Sequence, residues 1–301
     1  MKNIVYILSL CIGVLFSSFD VCAQTTDAEP IAVVRIGGKW GYVNKEGKVV
    51  VNPQFDVAWG FYEGLAAVRI GGKWGYINKE GKYVINPQFD NTGVFLEDLV
   101  AVRIGGKWGY INKEGKYVVS PKFDNAYGFS EGLVAVKIDG KWGYINKKGQ
   151  YVIKSQFDDA LRFCEGLAVV RIGGKWSYIN REGQFVINPQ FDNASPFSES
   201  LAAVRIGGKW GYINKDGRFV INPQFDWTYS FSEGLAAVRI GGKWGYINKE
   251  GKIIINPQFD FAGSFSEGLA AVKIGDKWGY INKEGQMIIN PQFDYTESFK
   301  K

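Results

Sequence analysis

Apolar and polar residues alternate in short runs along most of the chain, and no stretch keeps a helical period. In the run from Leu65 to Ile70, Ala66 and Val68 fall on one face, and Ala67 and Arg69 fall on the other. Alternation over about four to eight residues is typical of a β-strand. The pattern therefore predicts a nearly all-β protein.

Turn residues separate these runs, and over residues 65–85 they predict three strands. Gly71-Gly72 precedes the second run, Lys73 to Asn78, and two residues that tolerate positive φ predict a type I′ hairpin. Asn78 to Gly81 predicts the next turn. The third strand is expected over Tyr83 to Ile85, ended by Asn86-Pro87.

The same pattern returns every 34 residues, with one tryptophan marking each copy. The eight structural tryptophans are Trp40, Trp74, Trp108, Trp142, Trp176, Trp210, Trp244 and Trp278. A fixed period of this size indicates a repeat architecture, and a three-stranded unit must stack on its neighbours to cover its apolar face. We expect one array of eight units over residues 31–301.

Two arrangements of such an array are possible. Propeller blades usually have four strands, and a 34-residue unit with two turns holds three comfortably. The expected fold is therefore an open β-solenoid or superhelix of mostly three-stranded units. The alternative is an eight-bladed β-propeller.

The recurring motif also resembles a known family. Lys73-Trp-Gly-Tyr-Ile-Asn-Lys-Glu-Gly81, followed by Asn86-Pro-Gln-Phe-Asp90 and, in the next unit, Phe129-Ser-Glu-Gly-Leu133, is similar to the bacterial WG repeat family. The resemblance covers residues 31–301. It implies an array of β-strand repeats, often exported, without a general assigned activity.

The N-terminus has the pattern of an export signal. Met1-Lys2 is positively charged, residues 4–16 are apolar, and Val21-Cys22-Ala23 fits a cleavage site. We expect a signal peptide over residues 1–23, a polar leader over 24–30, and an exported protein without a transmembrane segment after cleavage. A transmembrane helix and a lipid anchor on Cys22 are the alternatives.

Composition removes several classes of chemistry. The chain has no histidine, which excludes a Ser-His-Asp triad and imidazole metal ligands. Its carboxylates recur in every unit, at the positions of Asp90 and Glu97, so we interpret them as turn or cap acceptors. We expect no catalytic residues, metal or cofactor; a glycan-active enzyme is the alternative from another class.

The net charge and its distribution along the chain indicate the class of binding partner. Lys and Arg number 36 against 30 Asp and Glu, a net charge of +6 that is spread evenly over the units. Such a distribution, together with export, argues against nucleic acid and fits a protein or an acidic envelope polysaccharide.

One four-residue window changes from unit to unit between the recurring Phe-Asp and the next Phe. Its second residue stays Ala or Thr, as expected of an inward-facing position, while the others vary freely. Repeat proteins commonly bind through variable positions on one face. The aromatic window residues are the candidate binding residues: Trp59, Tyr127, Trp227, Tyr229 and Phe261. The sequence thus predicts a non-catalytic binding or scaffold module at the bacterial envelope, with glycan or cell-wall-polymer binding as the alternative.

Overall fold

The architecture is known from a computed structural model, which describes residues 31–296. That part of the chain is all-β, with 31 strands in eight antiparallel sheets and no helix. Sheet I has three strands, and sheets II to VIII have four strands each, in the order of the chain. The predicted signal peptide and polar leader lie outside the described residues.

The strands have the following bounds. Sheet I contains β1 (Ala32–Ile36), β2 (Lys39–Val43) and β3 (Val49–Phe55). Sheet II contains β4 (Val57–Tyr62), β5 (Leu65–Ile70), β6 (Lys73–Ile77) and β7 (Tyr83–Phe89). Sheet III contains β8 (Asn91–Thr92), β9 (Leu99–Ile104), β10 (Lys107–Asn112) and β11 (Tyr117–Phe123). Sheet IV contains β12 (Asn125–Ala126), β13 (Leu133–Ile138), β14 (Lys141–Asn146) and β15 (Tyr151–Phe157). Sheet V contains β16 (Asp159–Cys164), β17 (Leu167–Ile172), β18 (Lys175–Ile179) and β19 (Phe185–Phe191). Sheet VI contains β20 (Asn193–Ala194), β21 (Ala202–Ile206), β22 (Lys209–Ile213) and β23 (Phe219–Phe225). Sheet VII contains β24 (Trp227–Thr228), β25 (Ala236–Ile240), β26 (Lys243–Ile247) and β27 (Ile253–Phe259). Sheet VIII contains β28 (Phe261–Ala262), β29 (Ala270–Ile274), β30 (Lys277–Ile281) and β31 (Met287–Phe293).

The described chain divides into two compact units. The first comprises residues 31–139 and 146–150 and holds sheets I to III. The second comprises residues 140–145 and 151–296 and holds sheets V to VIII. The division falls among the strands of sheet IV.

The expectation of three strands per unit is wrong, because the variable window adds a fourth. Val57 lies opposite Arg69 and Ala58 opposite Val68, so the window forms the first strand of the sheet that follows it. In five sheets this strand is only two residues long, too short to show an alternating pattern in the sequence. Four strands is also the usual number in a propeller blade. The strand count therefore no longer favours an open array over a ring.

Both predicted turns are confirmed. Gly71 and Gly72 have φ of +56° and +78°, which a type I′ hairpin requires at both central positions. In the second turn the Gly81 N–H donates to the Asn78 carbonyl at 2.9 Å, and the Lys82 N–H donates to the Asn78 side chain at 2.9 Å.

The third predicted strand does not stop at Asn86-Pro87 but runs on to Phe89. The register shifts between Trp74 and Tyr76, so this strand bulges past Gly75. A proline is tolerated at a bulge because no ladder hydrogen bond is needed from it. A Cβ on Gly75 would lie 2.5 Å from the Ile85 carbonyl oxygen, which explains why a small residue follows the tryptophan in every repeat.

The core lies between consecutive sheets, as the stacking argument predicts. Leu65, Trp74 and Phe89 of sheet II form one buried cluster with Val100 and Val102 of sheet III. Equivalent clusters join sheets I and II, V and VI, VI and VII, and VII and VIII. In each of these pairs, the later sheet covers the apolar face of the earlier one.

Rings recur in this core as tyrosine–phenylalanine pairs. The tyrosine two residues after each tryptophan packs against the phenylalanine that follows the next window, with ring centroids 4.8–5.1 Å apart. The pairs are Tyr42–Phe61, Tyr76–Phe95, Tyr110–Phe129, Tyr144–Phe163, Tyr178–Phe197, Tyr212–Phe231 and Tyr246–Phe265. They are edge-on or tilted, the geometry that aromatic quadrupoles favour. These ring pairs therefore recur at the same place in successive repeats.

Candidate functional site

The backbone of each window is held by the same tyrosine. Its hydroxyl donates to the carbonyl of the third window residue at 2.7–2.9 Å. Tyr212 binds the carbonyl of Tyr229 in this way, and Tyr246 binds that of Gly263. Burial raises the pKa of Tyr110 and Tyr178 well above its usual range, so these hydroxyls remain donors. The windows are thus fixed in position, whatever side chains they carry.

The aspartate before each window joins two sheets. Asp90 accepts from the Lys73 ammonium of the preceding sheet at 2.5 Å, and from the Gly105 N–H of its own sheet's hairpin at 3.0 Å. The hydrogen bonds from Lys73 and then Gly105 lower the pKa of Asp90. This aspartate therefore works as a structural acceptor, as the sequence interpretation expects.

The glutamate after each window binds the next unit. Glu63 accepts from the N–H groups of Glu97 and Asp98 at 2.6 and 2.9 Å, and pairs with Lys113 at 3.0 Å. Equivalent lysine–glutamate pairs are Lys147–Glu97, Lys215–Glu165, Lys249–Glu199 and Lys283–Glu233. Both carboxylate rows thus have contacts that explain their recurrence.

Inside seven of the eight windows, the second residue is buried, as predicted. It is Ala58, Thr92, Ala126, Ala160, Ala194, Thr228 or Ala262. The candidate binding residues flank it and are more accessible. Trp59, Tyr127, Tyr229 and Phe261 are half-buried, whereas Trp227 is 45% exposed. The structure therefore places these residues on edge strands or just beyond them, and not on free loop tips.

In the first compact unit, the two candidate residues belong to different sheets. Trp59 packs on Trp74 with centroids 4.8 Å apart and joins the core between sheets II and III. Tyr127 follows the first strand of sheet IV, where its N–H donates to the Ala135 carbonyl at 3.2 Å. Its own carbonyl accepts from Tyr110 at 2.8 Å. Sheet III thus separates the two candidates along the chain.

In the second compact unit, two candidates, Tyr229 and Phe261, form a continuous group of rings with Trp244 and Trp278, and the third candidate, Trp227, packs on another structural tryptophan. Tyr229 stacks on Trp244 with centroids 5.2 Å apart and planes at 13°. Phe261 contacts Tyr229, Trp244 and Trp278 at 6.2, 5.5 and 5.4 Å. We call Tyr229, Trp244, Phe261 and Trp278, together with Trp227, the aromatic cluster. Trp227 itself packs on Trp210 at 5.6 Å.

Cationic side chains lie in register with the cluster. Trp227 lies opposite Arg239, and Phe261 lies opposite Lys273. Arg239 in turn lies opposite Trp244, and Lys273 lies opposite Trp278. Paired residues of an antiparallel ladder share a face of the sheet, so each cation stands between two rings. The window candidates alone did not include these two residues; strand pairing brings them to the site.

The repeat unit consists of the Trp-Gly-Tyr hairpin, the asparagine turn and the Phe-Asp bridge. The model of the WG containing repeat matches eight consecutive segments: residues 40–74, 74–108, 108–142, 142–176, 176–210, 210–244, 244–278 and 278–301. This chain belongs to the WG repeat family. No curated protein of similar sequence was found.

Two solved structures resemble the WG repeat chain in fold. One is titled as the crystal structure of the eukaryotic initiation factor, with a TM-score of 0.61 and 13% identity over 87% of this chain and 84% of that chain. The other is the dihydro-heme d1 dehydrogenase NirN in complex with DHE, with a TM-score of 0.50 and 12% identity over 90% of this chain and 75% of that chain. At these identities the likeness concerns the fold alone.

Two further features of the WG repeat chain concern metal ions and membranes. Residues 31–296 contain no group of three or more Cys, Asp or Glu side chains arranged to hold a metal ion. Over the same range there is no helix of the length and apolarity needed to cross a membrane.

Proposed function

We propose that this WG repeat protein is an exported, non-catalytic binding or scaffold module of the bacterial envelope. The observation that carries the proposal is the aromatic cluster, in which variable window rings pack on the structural tryptophans. Exposed aromatic residues on a rigid support are typical of binding hot spots, because little conformational entropy is lost when a partner covers them.

In each unit, the residues that hold the window in position are different from the window residues that vary, and this separation supports a binding role. The tyrosine hydroxyl holds the window backbone at 2.8 Å in the units of Tyr229 and Gly263. The buried second residue, Thr228 or Ala262, supplies the packing. The remaining window side chains are therefore free to vary without loss of the sheet.

The proposal that the protein is non-catalytic rests on the recurrence of its polar residues in every unit. Asp226 and Asp260 carry the same lysine and hairpin contacts, and a reaction centre would need a constellation that occurs once. Export rests on the N-terminal pattern of charged, apolar and small residues over positions 1–23.

The test is capture of a partner by the protein and by two matched variants. Trp227→Ser removes the most exposed ring of the cluster, and Phe219→Ser removes a comparably exposed ring, 39% accessible, from a fourth strand outside the windows. Envelope extracts and a glycan array are probed with all three proteins. We expect Trp227→Ser to lose most of the signal and Phe219→Ser to keep it, since a hot-spot aromatic contributes about 2 kcal/mol or more. Equal retention by all three proteins would contradict the proposal.

An acidic polysaccharide is the partner class that the charges beside the cluster favour. Arg239 and Lys273 lie next to flat rings, a combination that can stack on sugar faces and pair with carboxylate or phosphate groups. With Arg239→Gln and Lys273→Gln, binding of acidic glycans should weaken and lose its salt dependence, while binding of neutral glycans should not change. A protein partner would instead be captured from extracts without any glycan signal.

A further inference from the structure

Sheet VI carries a row of hydrogen-bond donors across its first three strands. Arg205 lies opposite Asn193 of the window on one side and opposite Trp210 on the other. Directly opposed residues of an antiparallel ladder lie on the same face of the sheet, so these three side chains are neighbours. Guanidinium and indole groups donate hydrogen bonds and accept none, so this row needs a partner that accepts.

Two of these donors are buried without an acceptor. Arg205 Nε and Trp210 Nε1 have no hydrogen-bond partner among the residues that the structure describes. Trp210 as a whole is only 4% exposed. In sheet VII, by contrast, the equivalent Nε of Arg239 donates to the Gly242 carbonyl at 3.3 Å. A buried donor without an acceptor is unfavourable, so sheet VI has a local shortage of acceptors.

The side-chain oxygens beside this row already have donors of their own. The Asn193 side-chain oxygen accepts the Ala194 N–H at 2.8 Å, which leaves the amide NH2 group as a further donor. The Asp192 carboxylate accepts from the Lys175 ammonium at 2.6 Å and from the Gly207 N–H at 3.1 Å. The arginine of the row is half-buried, so part of its side chain remains within reach of a ligand.

Sheet V provides a matched comparison. Arg171 is also half-buried, and its Nε is also buried without a partner in the described part of the chain. Asp159 lies opposite this arginine, at the position that Asn193 has in sheet VI. A carboxylate opposite an arginine offsets its charge across the ladder, whereas an amide does not. The positive charge of Arg205 is therefore not offset by the residue opposite it.

We propose that Arg205 and Asn193 bind an oxyanion group (a carboxylate, sulfate or phosphate) of the glycan that the windows recognise. The inference rests on the proposed function, because it gives the acidic group of that partner a place. Trp227 supplies the adjoining surface, since its ring lies 5.6 Å from Trp210 and is 45% exposed. A sugar ring that stacks on Trp227 presents its acidic substituent to the row, and a guanidinium group can form two parallel hydrogen bonds with such a group.

The test uses two variants of the full chain, each with a matched control. Asn193→Asp places a carboxylate opposite Arg205, an arrangement that sheet V already has in Asp159 and Arg171. Its control is Asn222→Asp, which adds the same charge at an exposed position in the fourth strand of the same sheet. Arg205→Gln removes the cation of the row, and Arg171→Gln is its control. Circular dichroism and thermal melting confirm that each variant is folded.

Isothermal titration with three probes gives the readout: an oligosaccharide of galacturonic acid, its neutral methyl ester, and inorganic phosphate. The parent should bind the acidic oligosaccharide more tightly than the ester. Asn193→Asp and Arg205→Gln should each weaken binding of the acidic form by about tenfold or more, the factor expected for the loss of one charge-assisted hydrogen bond, and leave binding of the ester unchanged. Both control variants should bind like the parent.

The outcomes separate this inference from the proposed function. Phosphate that binds as tightly as the acidic oligosaccharide would support the oxyanion site but contradict a glycan as its source. Equal losses in Arg205→Gln and Arg171→Gln overturn the inference, and so does acid binding that Asn193→Asp retains, even if the windows bind a partner. A parent that binds none of the probes also overturns it, whereas capture by the parent and by Trp227→Ser decides the proposed function independently.

Discussion

At the residue scale, the tyrosine of each WG repeat connects the constant part of a unit to the variable part of the next. Tyr246 is fully buried, its ring packs on Phe265, and its hydroxyl binds the Gly263 carbonyl. One side chain therefore contributes both apolar burial and a polar contact that fixes the position of the window backbone. Because this hydrogen bond goes to the backbone, the window side chains can vary while the window backbone keeps its position.

Removing one such hydroxyl should destabilise the fold measurably. In Tyr246→Phe the partly buried Gly263 carbonyl loses its donor, which costs about 1–3 kcal/mol. Tyr117→Phe is the control, because the Tyr117 side chain is 44% exposed. Denaturant titration should show a lower free energy of unfolding for Tyr246→Phe and almost no change for Tyr117→Phe. Equal effects would mean that the hydroxyl does not hold the window.

The aspartate row makes stability depend on acid pH. Hydrogen bonds from Lys243 and the Gly275 N–H lower the pKa of Asp260. Equivalent lysine hydrogen bonds lower the pKa of five further aspartates of the row, Asp56, Asp90, Asp158, Asp192 and Asp226. A carboxylate whose pKa is lower in the folded state stabilises the fold above its unfolded pKa, and this contribution is lost as the pH falls through the lowered value. We therefore expect melting temperatures to be flat from neutral pH down to about pH 4 and to fall below it. Asp260→Asn should show a weaker acid dependence than the parent, and an identical pH profile would contradict this role.

At the element scale, each sheet depends on its neighbour for burial. Trp244 is buried and contacts both Tyr229 and Phe261, whereas Trp278, in the last sheet, is half-buried. The loss of stability on replacing a repeat tryptophan should therefore depend on which sheet carries it, although every sheet has the same residue there.

Paired tryptophan substitutions test this dependence. Trp244→Ala should cost about 3–5 kcal/mol, because it leaves a cavity between two sheets. Trp278→Ala should cost less, because its ring is partly exposed before the change. The free energy of unfolding is measured by denaturant titration for both variants. Equal losses would contradict burial between sheets as the source of stability.

The sequence predicts the elements that have a strong local signal, and it misses those that depend on pairing. Gly71-Gly72 and the turn at Asn78 are correct because positive φ and the asparagine cap are local properties. The window strand is missed because two residues, such as Trp227-Thr228, show no alternation and become a strand only by pairing with Arg239 and Val238. The same pairing brings Arg239 beside the aromatic cluster, so the cationic part of the site could not be predicted from the window alone.

At the scale of the whole molecule, an unbroken 34-residue period predicts similar contacts between consecutive repeats. Such a chain gains stability from nearest neighbours, and removing a terminal unit removes one interface. The sequence prediction of an open array follows this logic.

Deletion of residues 277–301 tests the open array. Small-angle scattering at low concentration should show a modest decrease in length, and the melting temperature should fall only slightly, since the remaining interfaces are intact. Loss of all folded structure on deletion would instead indicate a closed ring, in which every unit is needed.

The central claim is that the windows recognise a partner while the constant positions build the scaffold. The most direct test is a binding isotherm for the captured envelope component, measured for the parent, for the double variant Trp227→Ser with Phe261→Ser, and for Phe219→Ser. Thermal melts of the same samples separate binding from folding. We expect the double variant to melt near the parent and to bind at least about thirtyfold more weakly, since about 2 kcal/mol corresponds to that factor, while Phe219→Ser binds like the parent. A folded double variant that binds as tightly as the parent would contradict the claim.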